Sequence, residues 1–296
     1  MSRDNMGKGK ARTDGPVREI SCRAVADTVS RLFIEANTEL PEDVIGAVRS
    51  ALEREESPSA RQALGEVLEN AGIARKEKLP LCQDTGLAIV FAELGQDVHI
   101  TGGDFNSCIQ DGVKKAYAAG CLRKSVCDPL SRENTGDNTP AVIHVEIVPG
   151  DRLRLIAMPK GGGAENMSAV GMILATSGPE GIRKFVIDAV VKAGPNPCPP
   201  VIIGVGIGGS IDLAPILAKR ALLRRVGEVN SLDTRIAELE SEILIAVNKL
   251  GIGPQGLGGK TTALAVHIEA APCHIASLPV AVSIQCHSAR HREATI

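Results

Sequence analysis

Residues 142–156 read VIHVEIVPGDRLRLI, and this stretch decides how the chain is interpreted. Apolar and polar residues alternate over 142–148, and they alternate again over 152–156. Such alternation is typical of a β-strand with one buried face and one solvated face. Pro149-Gly150-Asp151 separates the two runs and favours a tight turn. The stretch therefore predicts a β-hairpin with one wet face.

Other segments on both sides of this hairpin have clear patterns. Short runs of apolar and β-branched residues predict strands at 87–94, 201–205 and 280–284. Helical spacing predicts a helical region from 18 to 78, and a long amphipathic helix at 231–250 that stops at Gly251. In the first region, Pro41 and two acidic residues open one helix. Ser57 and Pro58 begin the next, which is expected to end at Ala71-Gly72.

These elements predict an α/β protein of the mixed α+β type, with a helical N-terminal region followed by a mixed sheet. No repeat, low-complexity linker or change of composition divides the chain. We therefore expect a flexible tail at 1–17 and a single domain at 18–296.

The composition excludes several functional classes. A net charge of -2 over 296 residues provides no basic surface for nucleic acid. The apolar runs are too short to span a bilayer, so no membrane partner is expected. The N-terminus has no secretory h-region, which predicts a cytoplasmic protein. Eight cysteines in a reducing compartment are not expected to form disulfides. Four are interpreted as small buried apolar residues, namely Cys22, Cys108, Cys121 and Cys127.

Two glycine-rich loops resemble nucleotide-binding motifs without satisfying them. Residues 204–209 fit GxGxxG, but neither a second strand nor an acidic residue follows at the spacing of a dinucleotide site. Residues 256–261 resemble a P-loop, but Pro254 stands where its first glycine belongs. We expect tight loops, of which the second could bind an anion through its backbone amides and Lys260.

Four segments have the polar, glycine- and proline-rich composition of a functional site. They are LCQDTG at 81–86, NTGDNTP at 134–140, PKGGGAEN at 159–166 and PNPCPP at 195–200. A thiol, an amide, a carboxylate and a hydroxyl in succession cannot form an apolar strand face. The prolines of the last segment limit where its thiol can point.

These four blocks, together with His274 and the SIQC sequence at 283–286, resemble the class I (iron–sulfur) fumarate hydratase and L-tartrate dehydratase family. The resemblance extends from about residue 20 to the C-terminus. It is to the α subunits of the two-subunit enzymes and to the N-terminal part of the single-chain fumarases. It implies a [4Fe–4S] cluster held by Cys82, Cys198 and Cys286. Cys273 remains an alternative third ligand.

The resemblance also implies roles for other residues. Asp84 is expected to act as general base, with His274 as a second catalytic residue. Substrate contacts are expected from Gln83, Arg123, Gly161 and Gly162. Individually, Asp84 could instead cap a turn, Arg123 could be a surface arginine, and His274 could be structural.

Single-chain fumarases carry a further C-terminal domain, so the resemblance implies a β subunit as partner, in an α₂β₂ assembly. The preferred reaction is the reversible hydration of fumarate to L-malate, and the alternative is the dehydration of L-tartrate to oxaloacetate; both substrates are C4 dicarboxylates. Two other classes stay open. A nucleotide-dependent enzyme would use the glycine loops, and a non-catalytic iron–sulfur scaffold would bind a cluster without turnover.

Overall fold

The computed structural model describes residues 17–230 and 233–296. The predicted flexible tail, apart from Val17, lies outside the described residues, as do the first two residues of the predicted helix at 231–250. In the described part of the chain, no helix is both long enough and apolar enough to cross a membrane.

The N-terminal region is helical, as predicted. A short strand β1 (Arg18–Ser21) precedes helices α1 (Cys22–Thr38), α2 (Glu42–Arg54) and α3 (Pro58–Glu77). The side chain of Ser57 caps α3, and Pro58 is its first residue. The predicted exit at Ala71-Gly72 is wrong. Buried Ala71 and Ala74 continue the packed face, and Lys78 ends the helix in the left-handed conformation.

The first sheet has the strand order β10-β5-β2-β4. Its strands are β2 (Leu87–Gly95), β4 (Val142–Val148), β5 (Leu153–Lys160) and β10 (Arg292–Thr295). The predicted hairpin is wrong, because β2 lies between β4 and β5. It pairs parallel with β4 and antiparallel with β5. A separate parallel pair joins β1 to β3 (Val98–Thr101).

Burial explains why β2 separates the two predicted hairpin strands. Residues 88–92 of β2 are buried on both faces, which is typical of a central strand, whereas most residues of β4 are partly or fully exposed. The turn after β4 is held by residues following β2. The Gln96 amide donates to Val148, and the Asp97 amide donates to Gly150. The turn therefore packs against a third segment instead of closing a two-residue loop.

The second sheet has the order β6-β9-β7-β8. It contains β6 (Ala169–Ile173), β7 (Val201–Gly208), β8 (Ala263–Ala271) and β9 (Leu278–Gln285), where β7 is parallel to β8 and antiparallel to β9. Helices α6 (Gly178–Ala193) and α8 (Thr234–Asn248) share one apolar core with this sheet. On the first sheet, α1 and α4 (Phe105–Ala119) form a second core.

A third core joins the two sheets to the N-terminal helices. It contains Val48 of α2, Leu64 of α3, Phe91 of the first sheet and Ile202 of the second. Helix α7 (Leu213–Ala221) packs against β7, and α5 (Gly162–Glu165) is a single turn after β5. Two short 3₁₀ turns, Ala175–Ser177 and Pro254–Gly256, complete the elements. The architecture is the predicted mixed α/β type.

Both glycine-rich loops have structural roles. A Cβ on Gly204 would lie 2.1 Å from the Ala218 carbonyl oxygen, and one on Gly206 would lie 1.9 Å from that of Ala214. These glycines therefore let α7 approach β7 closely. In the second loop, the amide of Lys260 donates to the buried carboxylate of Glu55 at 2.8 Å. The anion bound by this loop is thus a side chain of the protein.

Two expectations about the cysteines are wrong. Cys22 at the start of α1 and Cys108 in α4 form a disulfide, so the expectation of no disulfides is wrong for this pair. Cys121 is exposed and Cys127 is only partly buried, so neither is the buried apolar residue that was predicted. The six free thiols include all three predicted cluster ligands.

We expect His267 to make the protein sensitive to acid. His267 in β8 is buried, and burial lowers its pKa to about 4. Between that pKa and the ordinary value near 6.5, only the unfolded chain binds the proton, so stability falls as the pH is lowered through this window. Between pH 7 and pH 5 this histidine should lower the free energy of unfolding of the wild type by about 2 kcal/mol. That part of the decrease should be absent in His267→Gln. Urea denaturation at both pH values measures this.

The control is His99→Gln, which changes an exposed histidine in β3. His287 and His291 also have pKa values lowered by burial, so some acid sensitivity should remain in the His267 variant. An unchanged loss of stability in His267→Gln would contradict the assignment.

Candidate active site

The strand topology brings the four polar segments to shared sheet edges. In the first sheet, β2 and β4 start at one edge and the antiparallel β5 ends there. This places 81–86, 134–140 and 159–166 together. In the second sheet, β7 starts where β9 ends, so residues 195–200 lie beside Cys286. The two edges meet, because the ammonium group of Lys160 donates to the Ile284 carbonyl oxygen at 2.7 Å.

Asp84 is held by backbone amides on both sides. One carboxylate oxygen accepts from the Gly162 amide at 2.7 Å, and the other accepts from the Gly86 amide at 3.0 Å. A Cβ on Gly161 would lie 3.2 Å from the carboxylate, so the glycines of 161–162 permit this close approach. Gly86 itself has φ +81° and lies against the backbone of Lys160. The structure thus places Asp84, Gly161 and Gly162 together.

Buried polar side chains fix the loop that carries Arg123. The Thr85 hydroxyl donates to the Arg123 carbonyl oxygen at 2.8 Å. Asn138, which is fully buried, donates to the Gly86 carbonyl oxygen and accepts from the Ser125 amide. The hydroxyl of buried Tyr117 donates toward the Thr85 and Gly86 carbonyl oxygens, and burial raises its pKa. The segments at 81–86 and 134–140 therefore support one another.

The turn at 195–200 is built around Cys198. This residue has φ +56°, a left-handed conformation that is unusual for cysteine. His287 contacts the Cys198 carbonyl oxygen through Nδ1 at 3.0 Å. The Gln255 side chain donates to the Pro199 carbonyl oxygen at 2.8 Å. The turn is thus held by the segment after Cys286 and by the 3₁₀ turn Pro254–Gly256.

Three thiols converge at the meeting edges. Burial raises the pKa of the Cys198 thiol, and negative charge at Cys286 and Cys82 adds to the increase. All three thiols are at least partly accessible. Cys82 precedes β2, Cys198 precedes β7 and Cys286 follows β9, so three elements distant in sequence supply one group of sulfur atoms.

This donor set fits an iron–sulfur cluster. Thiolates are the usual ligands of such clusters, and three of them leave one iron for another ligand. Among residues 17–230 and 233–296, no three His, Cys, Asp or Glu side chains lie close enough to bind a single metal ion. Each thiolate of a cluster binds a different iron, so its ligands are spaced more widely than those of one ion. The chemistry of the donors is compatible with a cluster.

A cavity of about 480 Å³ opens beside Asp84. Its polar lining includes Asp84, Arg123, Ser125, Lys160, Glu165 and Asn166. A larger cavity of about 610 Å³, beside α2 and α8, contains none of the predicted site residues. We therefore take the smaller cavity as the candidate substrate site, since it joins the Asp84 carboxylate to two cations.

Lys160, which is buried, and Glu165, which is partly exposed, form an ion pair in the wall of this cavity. The Lys160 ammonium group is fully buried and lies 3.2 Å from the Glu165 carboxylate. Burial lowers the pKa of Lys160 to about 8, although Glu165 opposes the shift. The pKa of Glu165 is lowered despite its burial, because Lys160 and Lys219 both contact it.

Other predicted residues lie apart from this group. His274 and Cys273 are in the exposed connection between β8 and β9, at the opposite end of β9 from Cys286. Eight strand residues separate the two ends, a distance of roughly 25 Å. The chain therefore does not bring His274 close to Asp84. Within one chain, Cys273 is also too far away to replace Cys286 as the third cluster ligand. Gln83 is exposed between Cys82 and Asp84.

The sequence interpretation missed several residues that shape the site. Arg290 is 2% exposed and donates to the Asp84 carbonyl oxygen at 2.8 Å. Lys160, Glu165, Gln255 and His287 were also given no role. Lys160 and Glu165 do belong to the polar segment at 159–166, and Arg290 follows the third cysteine closely. The polar composition of these stretches was a signal, but Ile284, the partner of Lys160, and Asp84, the partner of Arg290, are too distant in sequence to be inferred.

Comparisons with known proteins identify the family of this chain. The family model described as Fumarate hydratase (Fumerase) matches residues 26–295. A protein of Methanocaldococcus jannaschii named putative L(+)-tartrate dehydratase subunit alpha is 46% identical over 273 residues, covering 90% of this chain and 95% of the relative. The L(+)-tartrate dehydratase subunit alpha of Escherichia coli K12 is 31% identical, covering 92% and 90%. The chain therefore belongs to the fumarate hydratase (Fumerase) family.

Proposed function

We propose that this chain is the α subunit of an iron–sulfur hydro-lyase acting on a C4 dicarboxylate. The observation that carries the proposal is the convergence of Cys82, Cys198 and Cys286 beside the cavity that contains Asp84. Lys160 links the group of thiols to the cavity, since it lines the cavity and interacts electrostatically with Cys286. A base, cations and a cluster site are the components that elimination of water from a hydroxydicarboxylate requires.

The [4Fe–4S] cluster would be held by the three thiolates and would supply a Lewis acid for the departing hydroxyl group. The chain itself supplies the other groups. Asp84, fixed by two amides, is positioned to take the carbon-bound proton. Arg123 at the cavity wall offers a planar guanidinium group to a substrate carboxylate. The amide donors of the glycine turn hold the base in one orientation.

The names of the relatives favour L-tartrate as the substrate, whereas the family description favours fumarate. We place L-tartrate first, ahead of the fumarate reaction that was preferred from the sequence. Assays with L-tartrate and with L-malate, under identical conditions and with the assembled enzyme, distinguish the two. Turnover of malate without turnover of tartrate would reverse this order.

A β subunit is the proposed partner, since both relatives are named as α subunits. His274 also fits an assembly, because it is exposed and distant from the cavity of its own chain. We propose that His274 serves a site shared between subunits. In that case His274→Asn should reduce the turnover of the α₂β₂ enzyme without changing the iron content of the α chain.

The cluster is tested by measuring iron and acid-labile sulfide in the anaerobically reconstituted chain. We expect about four of each per chain, and a loss of most of both in Cys82→Ser, Cys198→Ser and Cys286→Ser. Cys121→Ser and Cys273→Ser are matched controls, because both thiols are exposed and lie outside the proposed ligand set. A wild-type chain that remains free of iron would refute the proposed function.

A further inference from the structure

The two halves of the candidate site belong to different sheets. Asp84 and the glycine turn lie at the edge of the first sheet, beside β2 and β5. Cys198 and Cys286 lie at the edge of the second sheet, beside β7 and β9. The two sheets are separate, so no strand pairing sets the distance between these halves. Other contacts must hold them in register.

Lys160 makes such a contact. Its backbone pairs with Leu87 of β2 in the first sheet. Its ammonium group donates to the carbonyl oxygen of Ile284 in the second sheet, two residues before Cys286. One side chain therefore connects β5, which leads into the glycine turn that holds Asp84, with β9, which leads into Cys286.

The ammonium group is itself fixed from a third direction. The Glu165 carboxylate contacts both Lys160 and Lys219. Lys219 belongs to α7, which packs tightly on β7 through Gly204 and Gly206. Glu165 follows the glycine turn that holds Asp84. The ion pair thus connects the first sheet, the glycine turn, α7 and the second sheet.

Stability alone does not explain a lysine at this position. Lysine is almost never fully buried without a partner, because removing its charge from water is costly. An apolar side chain of similar volume often gives equal or greater stability than a buried ion pair. The charged lysine does fix a position, since its ammonium group holds the Ile284 carbonyl oxygen in a directional hydrogen bond.

We propose that Lys160, held by Glu165, is a positioning residue that sets the end of β9, and therefore Cys286, against the Asp84 side of the cavity. This inference rests on the proposed function only where it concerns the cluster. The contact between Lys160 and Ile284 exists whether or not a cluster is bound.

The first test measures hydrogen–deuterium exchange in the metal-free chain, for peptides covering residues 282–288. In Lys160→Met these amides should exchange about tenfold faster than in the wild type, because the end of β9 opens more easily. Lys184→Met is the control, since it removes an exposed lysine that pairs with Asp188 in α6. Glu165→Gln should increase exchange in the same peptides by a smaller factor, because Lys160 remains.

The second test is the electron paramagnetic resonance spectrum of the reduced cluster in the reconstituted chain. We expect altered g-values or line widths in Lys160→Met and an unchanged spectrum in Lys184→Met. A general loss of stability would lower the amount of cluster without changing the spectrum of what remains. The spectrum therefore separates positioning from a purely structural role.

Wild-type exchange rates and spectra in both Lys160→Met and Glu165→Gln would overturn the inference. If Lys160→Met fails to fold, as judged by circular dichroism, Glu165→Gln decides, and its unchanged exchange would also overturn it. A wild-type chain without iron would refute the proposed function, but the exchange measurement would still decide whether Lys160 positions β9.

Discussion

Replacing Asp84 by asparagine is expected to lower kcat of the assembled α₂β₂ enzyme by about 10³-fold, in line with the usual contribution of a general base. Asparagine has nearly the same shape, and its one side-chain oxygen can replace the acceptor of either the Gly86 amide or the Gly162 amide, so one of these two hydrogen bonds is kept. It cannot accept the substrate proton at neutral pH. The iron content should therefore stay at the wild-type value, and KM should change much less than kcat.

Asp188→Asn is the matched control, because Asp188 is an exposed aspartate of α6 that pairs with Lys184. Its kcat should equal that of the wild type. If Asp84→Asn retained more than a tenth of the wild-type kcat, the base would have to come from another residue or from the β subunit. Unchanged turnover would remove Asp84 from the mechanism. A chain that binds a cluster but shows no turnover with any partner would instead be the non-catalytic scaffold.

The local parts of the fold were predictable because their causes are local. Ser57 and Pro58 specify the start of a helix through a side-chain cap and a fixed φ, and the structure confirms both. The strand pairing was not predictable in the same way. The turn at 149–151 suggested a hairpin, but the doubly buried β2 takes the central position between the two strands. Which strand occupies the centre depends on burial across the whole sheet.

In the candidate site, too, local features were predictable from the sequence and long-range contacts were not. Polar segments were visible in the sequence, because LCQDTG and PNPCPP cannot be core strands. Their convergence follows from which strand ends share a sheet edge, a property that local composition does not contain. Lys160 and Arg290 were missed because a role can be assigned to a buried charged residue only when its partners are known. Lys160 contacts Ile284, 124 residues away, and Arg290 contacts Asn37, 253 residues away.

Arg290 connects Asp84, the proposed base, to the N-terminal helices. Its guanidinium group donates to the Asp84 carbonyl oxygen at 2.8 Å and to the Asn37 side-chain oxygen at 3.1 Å. The Leu81 amide donates to the Asn37 carbonyl oxygen at 2.7 Å. Both ends of the segment 81–84 are therefore tied, directly or through Asn37, to one buried arginine. Arg290 is a positioning residue, because its hydrogen bond to Asp84 goes to the backbone carbonyl oxygen.

Arg290→Met is expected to lower kcat by about 10²-fold, since a small displacement of a catalytic group is enough for such a loss. It should also lower the free energy of unfolding by about 3 kcal/mol, because the Asp84 carbonyl oxygen and the Asn37 amide oxygen lose a charged donor in a buried place. Steady-state kinetics of the assembled enzyme and urea denaturation of the α chain measure the two effects. A KM close to the wild-type value would agree with a change in the position of the base.

Arg292→Met separates the two effects. Arg292 also ties the C-terminal segment to the end of α1, through the Glu39 carbonyl oxygen at 3.0 Å, whereas Arg290 donates to the Asp84 carbonyl oxygen in the segment 81–84. Its loss should lower stability while kcat stays within about twofold of the wild-type value, as for other residues remote from the chemistry. Equal losses of kcat in both arginine variants would mean that Arg290 acts only through stability. A loss confined to Arg290→Met would show that activity depends on how the Asp84 backbone is held.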